Sequence, residues 1–217
     1  AGGGIWVSVL LRSGASAEKL APLSIAAAVS VSVALREATG LDVRVKWPND
    51  ILLNGRKLGG ILVESVQTIG EPVECATLGL GLNVNIAESA FPPELSAAAT
   101  SLSAGLGRPV RRIEVLRAVL AALESCFDRF QADGFDGFRV RWRELSTLRG
   151  RRVRLDSGER GAESSDADDE RPDLLGTVAD IAPTGALLLA TDDGGVREIW
   201  HGDVTPVPLD ERGTHDD

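Results

Sequence analysis

Lys46-Trp47-Pro48-Asn49-Asp50 runs directly into Ile51-Leu52-Leu53-Asn54-Gly55-Arg56-Lys57-Leu58-Gly59-Gly60-Ile61-Leu62-Val63-Glu64, two apolar runs joined by an Asn-Gly pair. An Asn-Gly pair between two apolar runs is the strongest short-range signal for a two-residue type I′ hairpin turn, because both central residues must take positive φ. That turn predicts the register. Residue 53 faces 56, Leu52 faces Lys57 and Asp50 faces Gly59, so side chains at 50, 52, 57 and 59 share one face. Asp50 and Lys57 are then diagonal neighbours, about 7–8 Å apart between strand positions, a gap that their side chains close or that a substrate group enters. Gly59-Gly60 adds bare backbone where a ligand or another strand can come close. The pair reads in two ways: as a weak surface ion pair beside a tight turn, or as the charged part of a site. Of 23 Lys and Arg residues only Lys19, Lys46 and Lys57 are lysine. Two of these fall in this stretch, and a compact ammonium suits chemistry better than a guanidinium does.

Three segments then carry a resemblance. Lys46-Trp47-Pro48-Asn49-Asp50, Gly55-Arg56-Lys57-Leu58-Gly59-Gly60-Ile61-Leu62-Val63-Glu64 and Gly79-Leu80-Gly81-Leu82-Asn83-Val84-Asn85 resemble, in order and spacing, the signature of biotin protein ligases, the biotin–[acetyl-CoA-carboxylase] ligases. The resemblance runs from about residue 1 to about residue 208. It implies an α+β fold: a mixed β-sheet with packed helices of the class II synthetase/biotin-lipoate ligase type, followed by a small C-terminal SH3-like β-barrel. It also implies a reaction in which biotin and ATP form biotinoyl-AMP, and a lysine of a biotin carboxyl carrier domain of acetyl-CoA or propionyl-CoA carboxylase then takes the biotin. In that reading Lys57 contacts the carboxylate and phosphate. Lys46 holds the signature segment and its field. Asp50 with Asn49 orients or deprotonates the acceptor lysine, or holds Mg²⁺ near the phosphates. Gly59, Gly60 and Gly79 line the biotin slot, and Asn83 reads the adenine. In biotin ligases the strand equivalent to Ile5–Leu11 follows an Arg- and Gly-rich loop. The opening Ala1-Gly2-Gly3-Gly4 therefore implies a catalytic domain truncated at its amino end, holding part of the ligand site.

Composition bounds the rest. A chain of 217 residues, 43% hydrophobic, can bury a full core. A net charge of −9 argues against a nucleic-acid surface, which needs a basic patch. Cys75 and Cys126 lie in apolar-periodic segments without CxxC spacing and read as buried free thiols. No apolar run reaches the roughly 18 residues of a membrane span, and no charged leader is present, so the reading is cytoplasmic with no membrane partner.

In chain order, Ile5–Leu11 reads as a buried strand, Glu18–Thr39 as a helix begun at Ser16 and stopped by Gly40, and 41–45 as a strand delivering the signature. Residues 72–85 read as a strand. Its glycines are not a dinucleotide loop, since position 84 is Val and no helix start comes directly after. They thin the strand for a flat ligand, with Asn83 either bonding its own backbone or offering a donor and acceptor to a heterocycle. Helices are predicted at Leu95–Leu106, at Arg111–Asp133 with an inward stripe of Ile113, Leu116, Leu120, Leu123, Phe127 and Phe130, and at Phe135–Leu148 with Trp142 inward. The composition changes near Gly150. The domains are therefore read as 1–148, then 149–210 with an acidic loop at 156–173, then a polar tail at 211–217. The second module has short strands at 151–155, 174–181, 186–190 and 196–200, the pattern of a small barrel. His201 and His215 have no carboxylate or cysteine cluster at ligand spacing, so no metal site is predicted. Two other readings are kept: a lipoate or octanoyl transferase-like enzyme, and a non-catalytic module binding adenylate or carrier. An edge strand beginning near Ile5 offers a homodimer contact.

Overall fold

The computed structural model describes residues 2–12, 16–65, 74–156 and 174–207. The chain divides into two compact units, Ala1–Thr147 with Pro183–Gly185, and Leu148–Ala182 with Ala186–Asp217.

The first unit is a five-stranded sheet covered on one side by helices. Its strands are β1 (Gly4–Arg12), β2 (Val43–Lys46), β3 (Asp50–Leu53), β4 (Arg56–Ser65) and β5 (Cys75–Asn83), in the spatial order β1-β5-β4-β3-β2. Every strand pair in it is antiparallel, whereas a mixed sheet was expected. Sequence neighbours β2, β3, β4 and β5 lie side by side, and such consecutive pairing runs antiparallel. Among the described residues, parallel pairing is seen in two isolated bridges, Val45 with Ser146 and Lys57 with Ala99. Asn54 and Gly55 take φ of 51° and 75°, as the type I′ turn requires. Along β5 exposure alternates strictly, with Ala76, Leu78, Leu80 and Leu82 buried and the residues between them partly open. One face of the sheet is therefore core and the other is accessible. β1 obeys the same rule, so the expectation of a fully buried strand fails: Trp6 is 68% exposed and Leu10 65%.

The helix expected over 18–39 is two helices, α1 (Ala17–Leu20) and α2 (Leu23–Thr39). Pro22 stands between them; it has no N–H to give the preceding turn, and its carbonyl starts the next by accepting from Ala26 at 3.0 Å. Gly40 ends α2 in the left-handed region, φ 73°, with its N–H on the Arg36 carbonyl. Buried Ala26, Ala27 and Ala28 let α2 lie close on its neighbours. The helix predicted at 95–106 shrinks to α3 (Leu102–Leu106), because residues 98–100 are drawn into pairing with β4. Ser101 caps the shortened helix, its Oγ accepting from Ala104 N at 3.2 Å.

The helix α4 (Arg112–Asp133) forms as read, with a different inward stripe. Val115, Val119, Leu123, Cys126 and Phe130 are buried, while Ile113 and Leu120 are exposed. The true stripe includes a cysteine and two small valines, which a search for large side chains passes over. α5 (Asp136–Leu145) buries Trp142 completely. Both cysteines are free, but only Cys126 is buried; Cys75 is half-buried on the open sheet face. Burial pushes the Cys126 thiol up to about 11. The native chain should therefore take one alkyl group, at Cys75, from iodoacetamide near neutral pH and two after denaturation, counted by mass spectrometry. Because the folded value lies above the ordinary 9.0, the associated stability is present below pH 9 and is lost as pH rises toward 11.

The second unit holds β6 (Arg152–Asp156), β7 (Leu174–Ile181), β8 (Leu187–Thr191), β9 (Val196–Ile199) and β10 (Asp203–Pro206). Four of these match the predicted strands; β10 is additional, a short edge strand ending in proline, which an edge tolerates. Trp200 lies just past β9 and is 55% exposed. The strands pair in the open antiparallel series β10-β6-β7-β8-β9. Apart from Asp156 at the end of β6, the acidic loop lies outside the described residues, as does the polar tail with His215. Among the described residues no helix is long and apolar enough to cross a membrane.

Candidate active site

The predicted register holds at the turn, where Leu53 faces Arg56 and Leu52 faces Lys57, and then slips. A bulge inserts Leu58, so Ile51 meets Gly59 and Asp50 meets Gly60, correcting the expected Asp50–Gly59 pair. Leu58 is fully buried, and burying this extra side chain is what the slip achieves.

The consequence is a single row across all five strands. Trp6 pairs with Gly81, Gly81 with Gly60, Gly60 with Asp50 and Asp50 with Lys46. Directly paired residues of an antiparallel sheet point to the same face, so this row lies on the open face. Two of its five members are glycines, leaving a floor of backbone between an indole and a cluster of charges. Gly79 lies one step along the same face, opposite Ser8 and Leu62, and Asn83 one step the other way, opposite Gly4. The Trp6 ring lies back over Gly4, with its edge 3.6–3.7 Å from where a side chain on Gly81 would begin.

Lys57 returns to this face beyond the bulge. Its Nζ stands 2.6 Å from Asp50 Oδ1, with the lysine side chain 54% exposed and the aspartate 22%. A Cβ on Gly60 would sit 3.4 Å from that carboxylate, 3.6 Å from Lys57 Cε and 3.7 Å from the Asn49 carbonyl, so Gly60 is the floor under the ion pair. The Asn49 carbonyl accepts from Ile61 N at 3.0 Å, which fixes the signature turn to β4. The Trp47–Pro48 peptide is cis, and the buried Trp47 donates its indole N–H to the Gly185 carbonyl at 3.0 Å. At the other end of the row, Asn85 N donates to Gly3 O at 2.6 Å. The Asn85 amide clamps Val110 through both of its atoms, and Arg112 donates to the Gly4 carbonyl at 3.2 Å. These bonds hold the strand that carries Trp6.

Of the predicted residues, Lys46, Asn49, Asp50, Lys57, Gly60, Gly79 and Asn83 come together on or beside one face. Gly59 does not. It is buried and turned to the other side, where a Cβ would overlap the Gly81 carbonyl oxygen, so it is a glycine of close strand approach. Trp6 and Gly81 were passed over. The alternation Trp6-Ser8-Leu10, with polar Ser8 in the middle, is the sequence signal for the exposed position of Trp6. Among the described residues no group of three His, Cys, Asp or Glu side chains converges. A cleft of about 740 Å³ lined by Ala34, Ala38, Ala118, Ala121 and Ala122 shares no residue with the row. The row can take a flat ligand on its glycine floor and an anion at Lys57.

Residues 1–83 match the model of the Biotin/lipoate A/B protein ligase family. The chain is similar to the bifunctional ligase/repressor BirA of Bacillus subtilis, 33% identical over 203 residues, which is 94% of this chain and 58% of that one. It is 36% identical over 142 residues to the biotin–[acetyl-CoA-carboxylase] ligase of Paracoccus denitrificans, covering 62% of this chain and 57% of that one. The chain thus spans a little over half the length of these curated relatives. Among solved structures, the biotin protein ligase of Aquifex aeolicus superposes with a TM-score of 0.78 at 26% identity, over 94% of this chain and 83% of that one. The same ligase in complex with biotin and ATP gives 0.73.

Proposed function

This chain belongs to the biotin protein ligase family, and from that premise we propose that its open row serves ATP-dependent attachment of biotin to a carrier-domain lysine. The observation that carries the reading is the ammonium of Lys57 standing beside Asp50 over the glycine floor at Gly60. A relative of this fold is solved with biotin and ATP, and another is named for acetyl-CoA carboxylase, which supports the same ligands and carrier here.

The reaction has two displacements. A biotin carboxylate oxygen attacks the α-phosphorus of ATP, the bond to pyrophosphate breaks, and the mixed anhydride biotinoyl-AMP forms. An amine nitrogen of the carrier lysine then attacks the anhydride carbonyl, the bond to AMP breaks, and an amide forms. Lys57 supplies a fixed cation where negative charge gathers in both transition states. Asp50 holds that ammonium in place over Gly60. Once phosphate and carboxylate oxygens replace it there, Asp50 is the carboxylate available to orient the incoming lysine or take its proton. Lys46, next in the row, adds positive field. Gly60, Gly81 and Gly79 give the biotin rings a flat floor, Trp6 gives them an apolar wall, and Asn83 offers its amide to the adenine. Mg²⁺ would find a carboxylate in the row at Asp50 and would neutralise charge on the nucleotide phosphates. We assign residues 1–148 as the catalytic domain and 149–210 as an SH3-like C-terminal domain, on the strength of its five short antiparallel strands.

Titration of the 217-residue chain with biotinoyl-adenylate in a calorimeter, beside lipoyl-adenylate, tests this reading. Selective binding of the biotin adduct is the expected result. Preference for the lipoyl adduct would move the chain to the other branch of its family, and binding without transfer to a carrier peptide would make it a non-catalytic module.

A further inference from the structure

Lys57 lies just beyond the reach of β5, which pairs with β4 only from Gly59 to Ser65. A strand residue left without a lateral neighbour there has an N–H and a C=O to satisfy. The chain satisfies them with a loop. Lys57 N donates to the Ala98 carbonyl at 2.7 Å, and Thr100 N donates to the Lys57 carbonyl at 2.9 Å. On the opposite side of β4 the ladder to β3 is broken by the Leu58 bulge at the same level. The placing of the Lys57 backbone, and with it the reach of its ammonium, therefore rests heavily on residues 98–100.

Those residues are in turn held by Arg56. Its Nε and one terminal nitrogen both donate to the Ala99 carbonyl, at 3.0 and 2.6 Å, and the same terminal nitrogen reaches the Ser96 carbonyl at 3.2 Å. The other terminal nitrogen meets Glu88 Oε1 at 2.6 Å, which orients the fork. Arg56 precedes Lys57 on the strand, so its side chain leaves by the opposite face. It cannot share the ligand with Lys57.

We propose that Arg56 is a positioning residue for Lys57, acting through the 96–100 backbone without touching the ligand. The proposal rests on the reading of Lys57 as the anion-binding residue of a biotin ligase. A planar fork with two donors on one carbonyl is a geometry that lysine cannot reproduce.

Two readouts test it. In the first, affinity for biotinoyl-adenylate is measured by calorimetry, below the melting temperature, for Arg56→Ala, Arg56→Lys, Glu88→Gln, Lys57→Ala and the Arg56→Ala/Lys57→Ala double variant. Arg56→Ala should weaken binding about tenfold, Arg56→Lys should recover only part of this, and Glu88→Gln should weaken it about threefold. The double variant should bind no worse than Lys57→Ala alone, since an effect exerted through Lys57 vanishes with it. In the second, amide hydrogen exchange at Lys57 and Thr100 should speed up at least tenfold in Arg56→Ala while β5 amides stay protected. Additive losses, or unchanged exchange at these two amides, would overturn the inference. Where Arg56→Ala does not fold, the same two readouts on Glu88→Gln, alone and with Lys57→Ala, decide it. Exchange that responds as expected in a chain that does not bind the adenylate supports the positioning role and counts against the ligase reading alone.

Discussion

Lys57→Ala is expected to weaken binding of biotinoyl-adenylate by about a hundredfold or more and to leave the melting temperature within a few degrees of the parent. The two halves of that expectation have separate causes. In the fold Lys57 makes an ion pair with Asp50, at 2.6 Å, on a side chain that is 54% exposed. Such exposed pairs contribute roughly 0.2–1 kcal/mol, so the fold loses little. In the site as proposed, the same ammonium would meet the carbonyl and phosphate of the adenylate. Hydrogen bonds to charged groups contribute about 1.5–3 kcal/mol, and an anion left unpaired adds a desolvation cost. A loss of about 2.7 kcal/mol is a factor of about a hundred in affinity. Lys57→Arg should rescue poorly, because the guanidinium is planar and bulkier than the point charge it replaces. Calorimetric affinities beside thermal melts make the check. An unchanged affinity in Lys57→Ala would remove this residue from the site, and a large fall in melting temperature would mean that it belongs to the fold.

The neighbouring glycines should separate stability from binding still more sharply. A Cβ on Gly59 would overlap the carbonyl oxygen of Gly81 on the next strand and come within 3.2 Å of Leu82 Cα. Both are backbone atoms of the central sheet and have nowhere to go. Gly59→Ala should destabilise the chain by about 3 kcal/mol or more, seen as a lowered melting temperature or loss of soluble protein. A Cβ on Gly60 meets Asp50 Oδ1 at 3.4 Å and Lys57 Cε at 3.6 Å, ordinary contacts with side-chain ends on the open face. Gly60→Ala should therefore melt within a few degrees of the parent yet bind the adenylate at least tenfold more weakly, because the methyl would occupy the floor proposed for the ligand. Gly60→Val should abolish measurable binding. Equal effects of Gly59→Ala and Gly60→Ala on stability, with no difference in affinity, would contradict the two-faced reading of the bulge.

The site is built at a place where regular pairing is interrupted. Were the hairpin ladder continuous, Asp50 would face Gly59, and the glycine beside Asp50 on the open face would be the one that the next strand already crowds. The Leu58 insertion separates the two requirements. Gly59 serves strand approach and Gly60 stays on the open face proposed for the ligand, while buried Leu58 anchors the slip in the core.

Local chemistry carries much of this protein without tertiary help. The Asn54-Gly55 turn was legible because two successive positive φ values leave few residue choices, and the Gly40 stop and the Pro-marked boundaries arise from equally local constraints. The charged pair at Asp50 and Lys57 came from counting outward from that turn, and the family from three short segments in order. Features that depend on a second segment are set by long-range contacts instead. The β5 partner makes Gly59 a packing glycine. The 98–100 loop claims the Lys57 backbone and shortens the predicted helix. The pairing of β1 with β5 brings Trp6, some 40 residues or more from the signature, into one row with Gly81, Gly60, Asp50 and Lys46. Turns and caps are settled by the few residues that form them. Register across strands, and which of two adjacent glycines faces a ligand, are settled by contacts that the linear order does not contain.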